Sequence, residues 1–189
     1  MAGILLALLM LAVRPSAGTE YASDELLMIK GIDLMRRGRF EDAIERFDSL
    51  LVDEPDNALA LRNKGHCFCE FGDYTEALVW VSRAIEKDPN LAKAWYTKGL
   101  CLSGMGNHKE ALLYFDAALS RDPGLIQAWY ERGKCLEALG QYEEAINCYE
   151  QILGLRNPNF MEAWFKKCDC LKKMGRLQEA QELLERADF

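Results

Sequence analysis

Small and apolar residues recur along the chain at a fixed interval of 34 positions, with a single step of 35 near the end. Four rows of one residue type follow this interval, two of glycine, one of alanine and one of proline. They are Gly31, Gly65, Gly99 and Gly133; Gly38, Gly72, Gly106, Gly140 and Gly175; Ala43, Ala77, Ala111, Ala145 and Ala180; and Pro55, Pro89, Pro123 and Pro158. Self-similarity at such a period indicates a repeat protein. The predicted repeats are 24–57, 58–91, 92–125, 126–160 and a shorter 161–189.

Each repeat carries the pattern of two helices joined by a tight turn. Large and small apolar residues lie three, four and seven positions apart within each half of the third repeat, which is the spacing of one helical face. Gly106 stands where the first helix must end, because glycine readily adopts the left-handed conformation of a helix C-terminus. Gly99 falls in mid-helix at a cost of about 1 kcal/mol, so it predicts a close approach of two helices. The prolines predict the end of each second helix.

These residues resemble the tetratricopeptide repeat. The resemblance rests on a large residue near the start of each unit, followed by the small residue, the turn glycine, the alanine, a second large residue and the proline. It covers residues 24–189, with Cys168 in the small position of the last unit and His108 where other units have an aromatic ring. The resemblance implies an all-α, right-handed superhelical solenoid of five helix-turn-helix repeats, preceded by an apolar leader or capping segment at 1–23.

The concave groove of such a solenoid is lined by the first helix of each repeat, and the resemblance makes it the candidate partner-binding site. Tyr96, Tyr130 and Phe165 would form an aromatic ridge there, of the kind that interface cores use. Alternatively, these rings partly cover the next repeat. The predicted groove residues are Met28, Ile32, Arg62, Asn63, His66, Lys93, Tyr96, Leu100, Gln127, Tyr130, Lys134, Phe165 and Asp169, with Glu162 beside the last two.

One use of the family is the binding of acidic chaperone tails through a clamp of lysine, asparagine and arginine. Asn63 and Lys93 match two of its five places. Met28 and Ile32 occupy the places in the first repeat, and Thr97 replaces the arginine. We therefore do not expect this clamp.

The seven cysteines suggest core packing rather than metal binding or disulfides. Cys67, Cys101, Cys135 and Cys170 fall at the same place in successive repeats. Packed helices are roughly 8 to 10 Å apart, whereas disulfides need Cα atoms within about 7 Å. The pairs Cys67-x-Cys69 and Cys168-x-Cys170 point apart on a helix and cannot hold one zinc ion. We expect no metal, no cofactor and a reducing compartment.

Neither catalysis nor polyanion binding finds support in the sequence. It contains two histidines in different repeats and none of the common catalytic or nucleotide-binding motifs. The 23 lysines and arginines against 30 acidic residues give a net charge of −7, which disfavours nucleic acid and anionic lipid. The one dense basic cluster, in the last repeat, predicts either a solvated face or a contact with an acidic partner. Its members are Lys166, Lys167, Lys172 and Lys173.

The beginning of the chain leaves the compartment open. The apolar run from Ala2 to Val13 has 12 residues, too few for a membrane-spanning helix of about 20. It suits a signal peptide in length but lacks a basic start, and Arg14 follows it. A helix that caps the first repeat, and translation from Met10, are the other interpretations. The cysteines favour the cytoplasm; the leader favours export or membrane association.

The sequence therefore predicts a noncatalytic scaffold that binds an extended peptide or short helix of another protein in its groove. Stacked repeats present their side chains without ordering on binding. The alternative is a structural module that associates with its own copies through the leader or the open face of the fifth repeat, or an exported or membrane-associated assembly factor anchored by its apolar leader.

Overall fold

The computed structural model describes the backbone of residues 17–155 and 160–185 and the side chains of 24–155 and 161–185. This part of the chain is all-helical, with ten helices and no strand. Its contacts divide it into two units, the first ending at Pro55 and the second beginning at Asp56. The apolar run Ala2 to Val13 lies outside the described residues.

The first unit contains one helical hairpin. Helix α1 spans Ala17–Arg36 and helix α2 spans Phe40–Asp53. Ala43, Phe47 and Leu50 are buried along one face of α2. These positions are three and four residues apart, as expected for the apolar face of an amphipathic helix.

The second unit is a helical solenoid of four further hairpins. Each first helix packs against its own second helix, and each hairpin packs against the next. The hairpins are α3 (Ala58–Phe71) with α4 (Tyr74–Lys87), α5 (Ala92–Gly104) with α6 (His108–Arg121), α7 (Ile126–Ala138) with α8 (Tyr142–Gly154), and α9 (Phe160–Lys173) with α10 (Leu177–Glu185). The first helices of these hairpins begin 34 residues apart, at Ala58, Ala92, Ile126 and Phe160, and the all-α solenoid is confirmed.

Glycine closes the first helix of each hairpin, as predicted. Gly72 and Gly106 both have φ of +81°, and the other three members of their row also have positive φ. The amide of Gly72 bonds to the carbonyl of Cys69, which satisfies one of the free carbonyls at the helix end. The left-handed conformation turns the chain directly into the second helix.

The mid-helix glycine row brings the two helices of a hairpin into close contact, which confirms the prediction. A Cβ atom at Gly99 would lie 2.7 Å from the ring of Phe115, and one at Gly65 would lie 2.6 Å from Val81. Ring or methyl groups of the second helix thus occupy the space that any larger residue would fill.

Prolines follow the second helices and also supply a contact that the sequence analysis missed. Helices α2, α4 and α6 each end two residues before a proline, respectively Pro55, Pro89 and Pro123, while Pro158 lies outside the described residues. The indole of Trp95 donates a 2.9 Å hydrogen bond to the carbonyl of Pro89, and that of Trp129 does the same to Pro123. The tryptophan near the start of a repeat therefore holds the loop that leads into it.

A row of basic residues links successive repeats of the second unit. Each residue lies on a first helix, just before the mid-helix glycine position, and contacts an acceptor on the second helix of the preceding repeat. The contacts are Lys98 to Ser82 at 3.2 Å, Arg132 to Asp116 at 2.7 Å, and Lys167 to Glu150 at 2.5 Å. The cation and its acceptor change from junction to junction, but the position is constant.

All seven cysteines are buried free thiols, so the predicted role in core packing is confirmed. Cys101 lies in a cluster with Cys69 and Ala77, and Cys170 lies in the cluster that contains Tyr149 and Ile152. Burial raises the pKa of Cys67 to about 12, which keeps this thiol protonated and unreactive at neutral pH.

Candidate partner-binding face

The predicted groove residues fall into two groups, one in each unit. Met28 and Ile32 lie half-buried on α1 of the first unit. The other eleven lie on the first helices of the second unit, which we call the first-helix face. Its predicted members are Arg62, Asn63 and His66 on α3, Lys93, Tyr96 and Leu100 on α5, Gln127, Tyr130 and Lys134 on α7, and Phe165 and Asp169 on α9.

Neighbouring first helices contact one another directly, which makes this face continuous. Helix α3 contacts α5, and α5 contacts α7. Between α7 and α9, the hydroxyl of Tyr130 donates a short hydrogen bond to the carboxylate of Glu162. Lys173 of α9 also donates to Glu137 of α7 at 3.1 Å.

The three aromatic residues of the proposed ridge differ in how far they reach outward. The ring of Tyr96 lies 6.1 Å from that of Phe115, and the ring of Tyr130 lies 6.1 Å from that of Tyr149, measured between centroids. Both tyrosines are half-buried, whereas Phe165 is 49% exposed. The tyrosines therefore cover the adjacent second helices with part of their surface, and Phe165 projects into solvent.

A pocket of about 130 Å³ opens on this face between three successive first helices. Its walls combine two aromatic rings, two aliphatic side chains, an amide and two carboxylates. They are Tyr96, Ile126, Gln127, Tyr130, Glu131, Ile152 and Glu162. Tyr96, Gln127, Tyr130 and Glu162 are predicted from the sequence at this face, whereas Ile126, Glu131 and Ile152 are not. Glu131 is one residue beyond Tyr130, a position that the helical period assigns to a different face.

Both tyrosines of the pocket keep their protons. The pKa of Tyr96 is raised by burial first and then by the charge of Glu131. The pKa of Tyr130 is raised by burial first and then by its hydrogen bond to Glu162. The rings stay neutral at physiological pH, and the negative charge of the pocket belongs to the two carboxylates.

Asn63 differs from the prediction that it faces the groove, because its side chain is 3% exposed. It occupies the same place in its repeat as Thr97, which is 1% exposed. Each comes one residue after a groove position, and one residue turns a helix by about 100°. Asn63 and Thr97 therefore lie inward, whereas Glu131, at the same place in the fourth repeat, is 17% exposed and reaches the pocket.

His66 and Arg62 are the two other predicted residues of α3, and both are half-buried. His66 Nε2 lies 3.8 Å from Glu70. Burial, followed by the nearby charge of Arg62, lowers the pKa of His66 to about 4. The histidine is therefore neutral at physiological pH, and the positive charge at this end of the face comes from Arg62.

Carboxylates of the protein itself neutralise the basic cluster of the last repeat. Lys166 and Lys173 lie 3.5 and 3.1 Å from Glu137, and Lys167 lies 2.5 Å from Glu150. Burial alone would raise the pKa of Glu137. The hydrogen bond from Tyr149 and the charges of the two lysines lower this pKa by more than burial raises it, so the net shift is downward. Three of the four lysines thus join helices within the second unit, a role that leaves little charge for an acidic partner.

The described helices contain neither a metal-binding group of side chains nor a helix able to span a membrane. No group of three or more histidine, cysteine, aspartate and glutamate side chains among the residues of known placement is arranged to hold a metal ion. In the same part of the chain, every helix is too short or too polar to cross a bilayer.

Comparisons with known proteins agree with this architecture. A sequence model described as "Tetratricopeptide repeat" matches residues 30–92 and 130–188, more than half of the chain. A model of the anaphase-promoting complex, cyclosome, subunit 3 matches residues 72–152. No curated protein matches the sequence significantly.

Solved structures share the fold at low sequence identity. The structure of MamA residues 41 to the end from Desulfovibrio magneticus RS-1 is 21% identical, with a TM-score of 0.72 over 87% of this chain and 92% of that chain. A thermophilic TPR protein from Thermus thermophilus is 20% identical, with a TM-score of 0.71 over 87% of this chain and 89% of that chain. Repeat spacing, hairpin geometry and the matched residues lead to one assignment: the chain belongs to the tetratricopeptide repeat family.

Proposed function

We propose that the protein is a noncatalytic scaffold that binds an extended peptide or short helix of a partner protein on its first-helix face. The observation that carries this proposal is the pocket between α5, α7 and α9, with the exposed ring of Phe165 on the same face. A concave site with apolar walls and a few polar groups is the usual form of a binding site. Aromatic anchors supply much of the energy of protein interfaces.

The stacked helices provide this face already assembled. Tyr96 and Tyr130 are packed on second-helix rings, and Glu162 accepts a hydrogen bond from Tyr130. These contacts restrict the side-chain rotamers before a partner arrives. A peptide that binds here therefore loses its own conformational freedom, while the protein loses little.

Selection from a library of random 12-residue peptides tests the proposal. We expect peptides selected on the wild-type protein to bind Phe165→Ser at least tenfold more weakly, measured by fluorescence anisotropy. Leu113→Ser is the matched control, because Leu113 is 66% exposed but lies on a second helix. The selected peptides should bind Leu113→Ser with the same affinity as they bind the wild-type protein.

Three results would contradict peptide binding at this face. They are a library that yields no binder, binders that are indifferent to Phe165→Ser, and binders that are lost with Leu113→Ser. Both substitutions remove an exposed side chain, so the two variants are expected to remain folded, which circular dichroism verifies.

Self-association through the last hairpin is a second candidate function. Met174, Leu177 and Leu184 are exposed apolar residues around α10. Sedimentation velocity over a range of concentrations would show a dimer that Leu177→Glu dissociates. A concentration-independent monomer would exclude this function.

For the compartment, we propose the reducing cytoplasm. Support comes from the seven buried free thiols, since proteins of oxidising compartments usually pair their cysteines. N-terminal sequencing of the protein isolated from its native cells would test this. A mature chain that begins after Ala17 would indicate export instead.

A further inference from the structure

The pocket of the first-helix face has the composition of a site for a positively charged side chain. We propose that it receives a lysine or arginine side chain of the bound partner peptide. This inference rests on the proposed function, because the basic side chain would arrive as part of the peptide that lies on this face.

The aliphatic and aromatic walls suit the stem of such a side chain. Ile126 and Ile152 provide methyl surface, and Tyr96 and Tyr130 provide ring surface. Lysine and arginine carry three or four methylene groups, which bury readily while the charged end stays near polar groups. A cation within about 6 Å of an aromatic ring is also attracted to the face of that ring.

The two carboxylates supply the charge that the cationic end requires. Glu131 is 17% exposed, and Glu162 is held in place by the hydroxyl of Tyr130. The attraction between opposite charges strengthens as water is excluded, so a cation delivered into the pocket would be held more strongly than on an open surface. Carboxylates also accept paired hydrogen bonds from the guanidinium group of arginine.

None of the described residues that line the pocket is a lysine, arginine or histidine. The nearby cation, Lys134, reaches Glu131 at 2.9 Å with a side chain that is 46% exposed. Its ammonium group also lies 5.6 Å from the centroid of the Tyr130 ring. The carboxylate of Glu131 and the ring of Tyr130 thus already lie near one ammonium group of the protein, which shows that these two groups accommodate a cation together.

Other side chains fit the pocket less well. An acidic side chain would meet the carboxylates of Glu131 and Glu162, of which Glu131 already has the ammonium group of Lys134 beside it. A purely apolar side chain would remove water from Glu131 and Glu162 without replacing its hydrogen bonds, which is unfavourable for charged groups. Charge complementarity therefore selects a basic occupant.

The test uses three small probes on the full chain and reads the methyl signals of Ile126 and Ile152 by NMR. The probes are the N-acetyl, N-methylamide derivatives of arginine, norleucine and glutamate. We expect saturable binding of the arginine probe, at least fivefold weaker binding of the norleucine probe and no saturation with the glutamate probe. The double substitution Glu131→Gln/Glu162→Gln should weaken the binding of the arginine probe at least fivefold.

Two further variants make the test specific. Glu110→Gln/Glu144→Gln removes the same amount of charge at exposed positions that start α6 and α8, and should leave the affinity unchanged. Lys134→Gln removes the cation that competes for Glu131, and should raise the affinity for the arginine probe at least twofold. An apolar pocket that ignores charge would respond neither to Lys134→Gln nor to Glu131→Gln/Glu162→Gln.

Three results would overturn the inference. They are equal affinities for the arginine and norleucine probes, methyl signals that do not shift when the arginine probe is added, and an affinity for the arginine probe that is unchanged in Glu131→Gln/Glu162→Gln. These outcomes are distinct from failure of the proposed function. Library peptides that depend on Phe165 but show no enrichment in lysine or arginine would preserve peptide binding and reject the basic subsite.

Discussion

At the residue scale, Gly99 sets how closely α5 and α6 approach. A Cβ atom there would meet two ring carbons of Phe115 at 2.7 and 2.8 Å. Overpacking a core costs about 1–3 kcal/mol, and the better helix propensity of alanine returns about 1 kcal/mol. We therefore expect Gly99→Ala to destabilise the protein by up to about 2 kcal/mol, measured as a lower urea midpoint.

Gly154→Ala is the control for this substitution. A Cβ atom at Gly154 has no neighbour within 4 Å, so this variant should match or slightly exceed the wild type in stability. If both variants behaved alike, helix propensity alone would govern the glycines and the close approach would have no energetic importance.

His66 gives the stability of the protein a dependence on pH. Its pKa is about 4 in the folded protein because of burial and the charge of Arg62, against about 6.5 in an unfolded chain. Between these values the unfolded state binds more protons, so a falling pH favours unfolding. We expect His66→Gln to reduce the stability lost between pH 7 and pH 5 by about 1–2 kcal/mol.

Urea unfolding of both proteins at the two pH values measures this difference. Only the change with pH is compared, so any constant effect of the substitution cancels. Parallel loss of stability in the wild type and in His66→Gln would show that His66 gains its proton as easily in the folded protein as in the unfolded chain.

Residue types with one dominant physical role were predictable from the sequence. The turn glycines, the close-contact glycines and the buried cysteines all have the predicted roles. Asn63 was not, because it is predicted to face the groove but is 3% exposed, whereas Glu131 at the same place two repeats later reaches the pocket. The neighbours in each repeat, rather than the position on the helix alone, decide how far this side chain is buried.

At the element scale, the second helices begin with different degrees of support. The side chain of Asp73 accepts a 3.2 Å hydrogen bond from the amide of Glu76, which caps α4. Asn107 occupies the same place before α6, and its side chain makes no cap hydrogen bond. Asp73→Ala should therefore cost about 1 kcal/mol, and Asn107→Ala should cost clearly less, as measured by chemical unfolding.

Equal losses for the two substitutions would mean that residue type, rather than the observed hydrogen bond, determines the contribution of this position.

The ends of the helices could be predicted from the sequence, because glycine and proline mark them directly. The hydrogen bonds of Trp95 and Trp129 to proline carbonyls could not, since they join two rows that look independent along the chain.

At the scale of the whole molecule, repeat proteins unfold according to local and nearest-neighbour stability rather than as one body. Helix α10 is the shortest described helix, with nine residues, and Ala180 is its buried residue. We expect amides of α10 to exchange with deuterium well before those of α5 and α6 in hydrogen-exchange mass spectrometry. Uniform protection of all three helices would indicate full cooperativity instead.

The candidate pocket shows where sequence reasoning ends. Its residues come from three repeats, and their convergence depends on how successive hairpins are rotated against each other. A period along the chain identifies equivalent positions, but it does not show which positions of different repeats meet. Glu131 and Ile152 became visible as pocket residues only once the helices were in place.

The basic row at the repeat junctions bears on how such an array changes length during evolution. Lys98, Arg132 and Lys167 each meet an acceptor from the preceding repeat, respectively Ser82, Asp116 and Glu150. Every donor is cationic and every acceptor carries an oxygen, so any donor is chemically compatible with any acceptor. Duplication or deletion of one complete repeat by unequal recombination would therefore create a junction that still joins a cation to an oxygen.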